Sequence, residues 1–83
     1  MSNLRQEVFD LFQSSAASSL NVSKEEITEA SNLEKDFKAK SLNFVQIIGD
    51  IEDEFEYDLN FMKFRNQSTV KDQLDYIIEV IEG

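Results

Sequence analysis

The chain has 83 residues, enough for one domain built on a small core. It contains no cysteine and no histidine, which excludes disulfide staples and thiolate chemistry and removes the usual general base and metal ligand near neutral pH. With 17 acidic and 8 basic residues its net charge is −9, a balance that repels nucleic acid and anionic membrane surfaces and attracts basic protein patches.

The first 13 residues mix apolar and charged positions and carry no leader pattern. No apolar run approaches the length of a membrane span. A cytoplasmic, monomeric protein is the expectation, and with no nucleophile–base pair in view it is expected to be non-catalytic.

Proline is absent, the only glycines are Gly49 and Gly83, and no hairpin turn signal separates alternating apolar runs. Apolar residues instead recur at helical spacing, which predicts an all-α chain over 1–83. The first helix is predicted over about residues 3–18, with Asn3 and Gln6 in capping-box register and Leu4, Val8, Leu11 and Phe12 on one face. Residues 21–40 read as a long connection. Ser23-Lys24-Glu25-Glu26 is a second capping-box pattern that can open a single turn, and Ile27, Leu33 and Phe37 are spaced apolar anchors. So long a loop in a small domain must be packed or functional.

A second main helix is predicted over about 41–56, with Ser41 as its N-cap. Leu42, Val45, Ile48, Ile51 and Phe55 form its stripe, widened by Phe44 and Ile47. Gly49 inside this helix costs about 1 kcal/mol relative to alanine, and close helix packing is one reason to keep it. Residues 61–66 suggest a short helix or irregular turn. The last helix starts at Ser68 as N-cap and carries Val70, Leu74, Ile77, Ile78 and Ile81. Three main helices, a short third one and a long first loop make a small four-helix bundle.

The segment from Leu33 to Leu42 resembles the attachment region of acyl carrier proteins. Asp36, Phe37, Ser41 and Leu42 match the family's pattern. The passage Leu20–Thr28, the run Ile51-Glu52-Asp53-Glu54-Phe55 and the segments Thr69-Val70 and Leu74–Ile77 extend the likeness over nearly the whole chain. The resemblance implies that a separate phosphopantetheinyl transferase attaches 4′-phosphopantetheine to Ser41, and that acyl-loading and synthase enzymes use the arm's thiol to carry acyl thioesters. A helix N-terminus suits the phosphate. It further implies an acyl cavity inside the bundle, for which Leu42, Val45, Ile51, Phe64, Val70 and Leu74 are the candidate lining residues; ordinary core is the competing reading.

The chain departs from the family around the serine. Lys40 replaces the family's aspartate, Lys38 its glycine, and Asn43 and Gln46 stand at positions that are acidic in the family. Acidity persists at Glu52, Asp53 and Glu54. These seven residues are the candidate docking surface, and the charge change predicts a specialised carrier with its own partner enzymes. The run Asp50–Asp58 lacks the glycine and ligand order of a calcium loop and reads as a solvated or docking face, not a metal site. Two alternatives stand beside the carrier reading. One is an unmodified interaction module using the apolar-basic segment 61–65; the other is a peptidyl carrier.

Overall fold

A computed structural model describes residues 3–83. Five α-helices and one 3₁₀ turn follow in the order α1 (Leu4–Leu20), the turn Lys24–Glu26, α2 (Leu33–Phe37), α3 (Ser41–Phe55), α4 (Phe61–Arg65) and α5 (Val70–Glu82). No strand occurs among the described residues. The expected all-α bundle is therefore the fold, with the long connection partly helical. α1 runs two residues further than its periodicity suggests, and the single turn α2 was hidden inside the predicted loop.

Each start follows from a local side chain. Asn3 Oδ1 accepts from the Gln6 N–H, Asn32 Oδ1 from Lys35 N–H, Asn60 Oδ1 from Lys63 N–H and Thr69 Oγ1 from Asp72 N–H. At Ser23 the expected box forms. The Glu26 carboxylate accepts from the Ser23 N–H and hydroxyl at 2.9 and 3.0 Å. Those bonds, the backbone one first, hold its pKa below the usual carboxylate range. Two expected caps shift by one residue. Thr69, not Ser68, caps α5, and Lys40 occupies the N-cap position of α3, so Ser41 is its first helical residue. Helices α1, α2 and α3 end on residues in the left-handed region, Asn21, Lys38 and Glu56, with φ of 59°, 58° and 59°.

α1 lies along α3 and also meets α5, while α4 closes the bundle against α3 and α5. Phe12, Phe44 and Phe64 meet at the centre, all buried. The Phe64 ring centroid lies 6.0 Å from Phe12 and 6.1 Å from Phe44, tilted against the first and edge-on to the second. Ile47, Ile51, Val70, Leu74 and Ile77 fill the space around them. The crossover is packed, as its anchors required. Ile27, Leu33 and Ala39 are buried and Phe37 is half-buried. Gln13 Nε2 holds the Ile27 carbonyl at 2.7 Å. The Val70 and Lys71 N–H groups of α5 donate to the Ser31 and Glu29 carbonyls, both at 2.9 Å, so the crossover satisfies donors that the helix start leaves over. Arg5 joins α1 to both elements through Glu29 (2.6 Å) and Asp75 (2.7 Å). Its hydrogen bond is the main reason the Asp75 carboxyl is held below its ordinary pKa. Among the described residues no helix is long and apolar enough to cross a membrane.

Gly49 does not have the packing reason expected of it. A Cβ there would meet no atom within 4 Å beyond its chain neighbours and its own helix backbone. Lys38 is the converse case, a side-chain-bearing residue in a backbone region where glycine is unstrained. Gly49→Ala and Lys38→Gly should therefore each raise stability by about 0.5–1 kcal/mol. A higher urea midpoint at unchanged slope for each single variant is the expected result.

Candidate functional site

Because Lys40 takes the cap position, the Ser41 hydroxyl is not consumed in starting α3. Asn43 does that work. Its Oδ1 accepts from the Lys40 N–H at 2.8 Å, and its Nδ2 donates to the Ser19 carbonyl and hydroxyl at 3.2 and 2.8 Å. The start of α3 is thereby fastened to the end of α1. No acidic side chain stands in the first turn of α3, so the N–H groups and dipole there are not internally neutralised.

Ser41 is exposed, and its Oγ accepts a hydrogen bond from Arg65 Nη1 at 2.5 Å. Arg65 ends α4 and is held on three sides. Its guanidinium carbon lies 5.5 Å from the centroid of the Phe44 ring, its Nη2 is 3.7 Å from Glu34 Oε1, and Ser41 takes the remaining direction. Lys38 and Lys40 precede the serine and are both exposed. An exposed hydroxyl at a helix start, with a guanidinium on its oxygen and two lysines beside it, fits a group that arrives as a phosphate: Arg65 offers a planar fork of donors, and the lysines add charge.

Comparison with known proteins gives the family. The family model described as "Phosphopantetheine attachment site" matches residues 10–77. The chain is 33% identical over 73 residues to the acyl carrier protein of Thermotoga maritima, covering 88% of this chain and 90% of the relative. To the acyl carrier protein of Rubrobacter xylanophilus it is 28% identical over 75 residues, covering 90% and 93%. The chain belongs to the acyl carrier protein family. Its cofactor is covalently attached 4′-phosphopantetheine, and proteins of this family are carriers rather than catalysts.

The predicted lining residues separate into two groups. Ile51, Phe64, Val70 and Leu74 lie together in the core. Leu42 and Val45 do not join them, being 67% and 52% exposed. The buried face of α3 is centred on Phe44, Ile47, Ile48 and Ile51. At 100° per residue that face turns Leu42, Val45 and Gly49 together toward solvent. The periodicity admitted both registers, and tertiary packing chose the one that sets Phe44 against Phe64.

The candidate docking residues divide as well. Lys38, Lys40, Asp53 and Glu54 are exposed. Asn43, Gln46 and Glu52 are engaged within the chain: Gln46 Oε1 accepts from the Ser19 hydroxyl, and Glu52 Oε2 accepts from the Leu59 N–H at 2.8 Å. Arg65 was not among the sequence candidates for this site. Only a basic residue at the end of a short helix marked it, and its proximity to Ser41 is a product of the tertiary fold.

Asn43→Ala removes the cap of α3 and its tie to α1 at once. It should cost about 1–2 kcal/mol, read as a lower urea midpoint. Asn43→Asp, which keeps the acceptor for the Lys40 N–H, should recover part of that loss.

Proposed function

We propose that the chain carries acyl intermediates as thioesters on a 4′-phosphopantetheine arm attached at Ser41, in fatty-acid, lipid or polyketide-type biosynthesis, and that it is a specialised carrier. The observation that carries this reading is the Ser41 hydroxyl itself, exposed at the first residue of α3, spared from capping and hydrogen-bonded to Arg65. In the transfer the Ser41 Oγ–H bond breaks, its proton goes to a base of the transferase, and Oγ bonds to the phosphorus of coenzyme A's pantetheine phosphate. The adenosine bisphosphate departs. Arg65 already donates to the oxygen that becomes part of the phosphodiester, so it is placed to pair with the new negative charge. Attached, the arm supplies the thiol that holds the cargo.

The interior around Ile51, Phe64, Val70 and Leu74 is the apolar region that suits an acyl chain. Leu42 and Val45, exposed on the turn that carries Ser41, suit a different task, apolar contact with a partner enzyme. Partners reading this surface meet Lys38, Lys40 and the carboxylates Asp53 and Glu54, a mixed pattern that disfavours a uniformly basic docking patch. The placement in cytoplasm belongs to the same reading.

Expressed with a broad-specificity phosphopantetheinyl transferase, the protein should gain one phosphopantetheinyl group by intact mass, and Ser41→Ala should abolish the gain. An unmodified native chain with every transferase tried would instead favour an interaction module.

Specialisation is tested separately. The combined change Lys38→Gly, Lys40→Asp, Asn43→Asp and Gln46→Glu should raise kcat/KM with a general fatty-acid loading enzyme by about tenfold, mainly through association. An unchanged value for a folded variant would remove the case for dedicated partners.

A further inference from the structure

A pocket of about 240 Å³ opens between α2, α3 and the junction of α4 with α5. Glu34, Phe44, Arg65, Gln67, Ser68 and Gln73 are among its walls. Two of them touch the attachment point's surroundings directly. Phe44 lies one turn along α3 from Ser41, and Arg65 donates to the Ser41 oxygen. The mouth of the pocket and the serine therefore share a wall. The core behind it is apolar, yet this pocket is lined largely by amides, hydroxyls and charged groups.

Gln73 is the unusual member. It is 3% exposed and sits next to Leu74 on the inward side of α5. Its Nε2 faces the Phe64 carbonyl at 3.5 Å. A carbonyl can only accept, so this contact fixes which end of the carboxamide is the nitrogen. The other end, Oε1, is buried and has no hydrogen-bond partner among the described residues. An unpaired buried acceptor is a costly feature, more so in a core this small, and a methionine or leucine would fill the same space without it.

We propose that Gln73 Oε1 accepts a hydrogen bond from a donor on the attached group, either an amide N–H of the arm or a hydroxyl on its acyl cargo. The inference rests on the carrier reading. It distinguishes this pocket from the apolar interior: a saturated chain offers Oε1 nothing, whereas a donor-bearing group satisfies it. The carrier thus selects cargo or arm position by pairing one buried acceptor.

The test uses ¹⁵N-labelled full-length protein in four forms: unmodified, bearing the arm alone, and loaded with octanoyl or 3-hydroxyoctanoyl groups. The Gln73 side-chain amide signals are assigned by their loss in Gln73→Met. A shift on attachment of the arm alone identifies an arm amide as the donor. A shift that appears only with the hydroxylated cargo identifies the hydroxyl. Silence in every form, or equal responses to both acyl groups with none to the arm, overturns the proposal.

Thermal melting adds a second reading. On loading with the form that shifts Gln73, the native chain should gain about 4–8 °C more than Gln73→Met, the change expected for one hydrogen bond in a domain of this size. Equal gains overturn the proposal. Failure of the chain to gain the arm overturns the carrier reading along with it, whereas a loaded chain with silent Gln73 signals overturns this inference alone.

Discussion

The site depends on the packing of Phe64 between Phe12 and Phe44. α4 is a helix of five residues, far too short to persist by its own hydrogen bonds. Its position comes from burying Phe64 at the meeting point of α1 and α3, with Asn60 closing its first turn. Once Phe64 is seated, the next residue has little freedom. Arg65 emerges at the rim of the core, over the Phe44 ring and against Ser41. One apolar contact thus sets the electrostatics around Ser41.

What the sequence made legible follows a physical division. The three long helices were visible because their apolar stripes repeat over several turns, and Glu26 declared the Ser23 box by its spacing. The crossover's anchors were visible as isolated apolar residues in a polar stretch. α2 was not, because a single turn has no period; its only sign was Asn32 ahead of Lys35 and Asp36. The caps of α3 and α5 were missed by one residue for different reasons. At Ser68-Thr69 two competent side chains compete. At Lys40-Ser41 the role passed to Asn43, a residue inside the helix. The place of Ser41 at the start of α3 was legible to within one residue, but the bond from Arg65 joins residues far apart in sequence, and only the folded bundle brings them together.

The departures from the acyl carrier pattern look different once placed in the fold. Lys38 and Lys40 change the charge in front of the serine, and both are exposed. Asn43 and Gln46 have instead been drawn into bonds with Ser19 on α1. Carboxylates in their places would keep the acceptors but lose the amide donor that Asn43 gives to the Ser19 carbonyl. The loss of acidity on this face therefore has a structural component.

The two bonds from the start of α5 to the crossover have a mechanical consequence. Pulling these segments apart would leave two backbone donors and two acceptors unpaired at the junction of Val70 and Lys71 with Ser31 and Glu29, at about 1–3 kcal/mol for each group that stays buried. Crossover and α5 accordingly form one stiff wall. α4 is attached mostly by side chains, which can repack without breaking a ladder. If the bundle must widen to admit a cargo, it hinges on the side of α4, and Arg65 moves with the door.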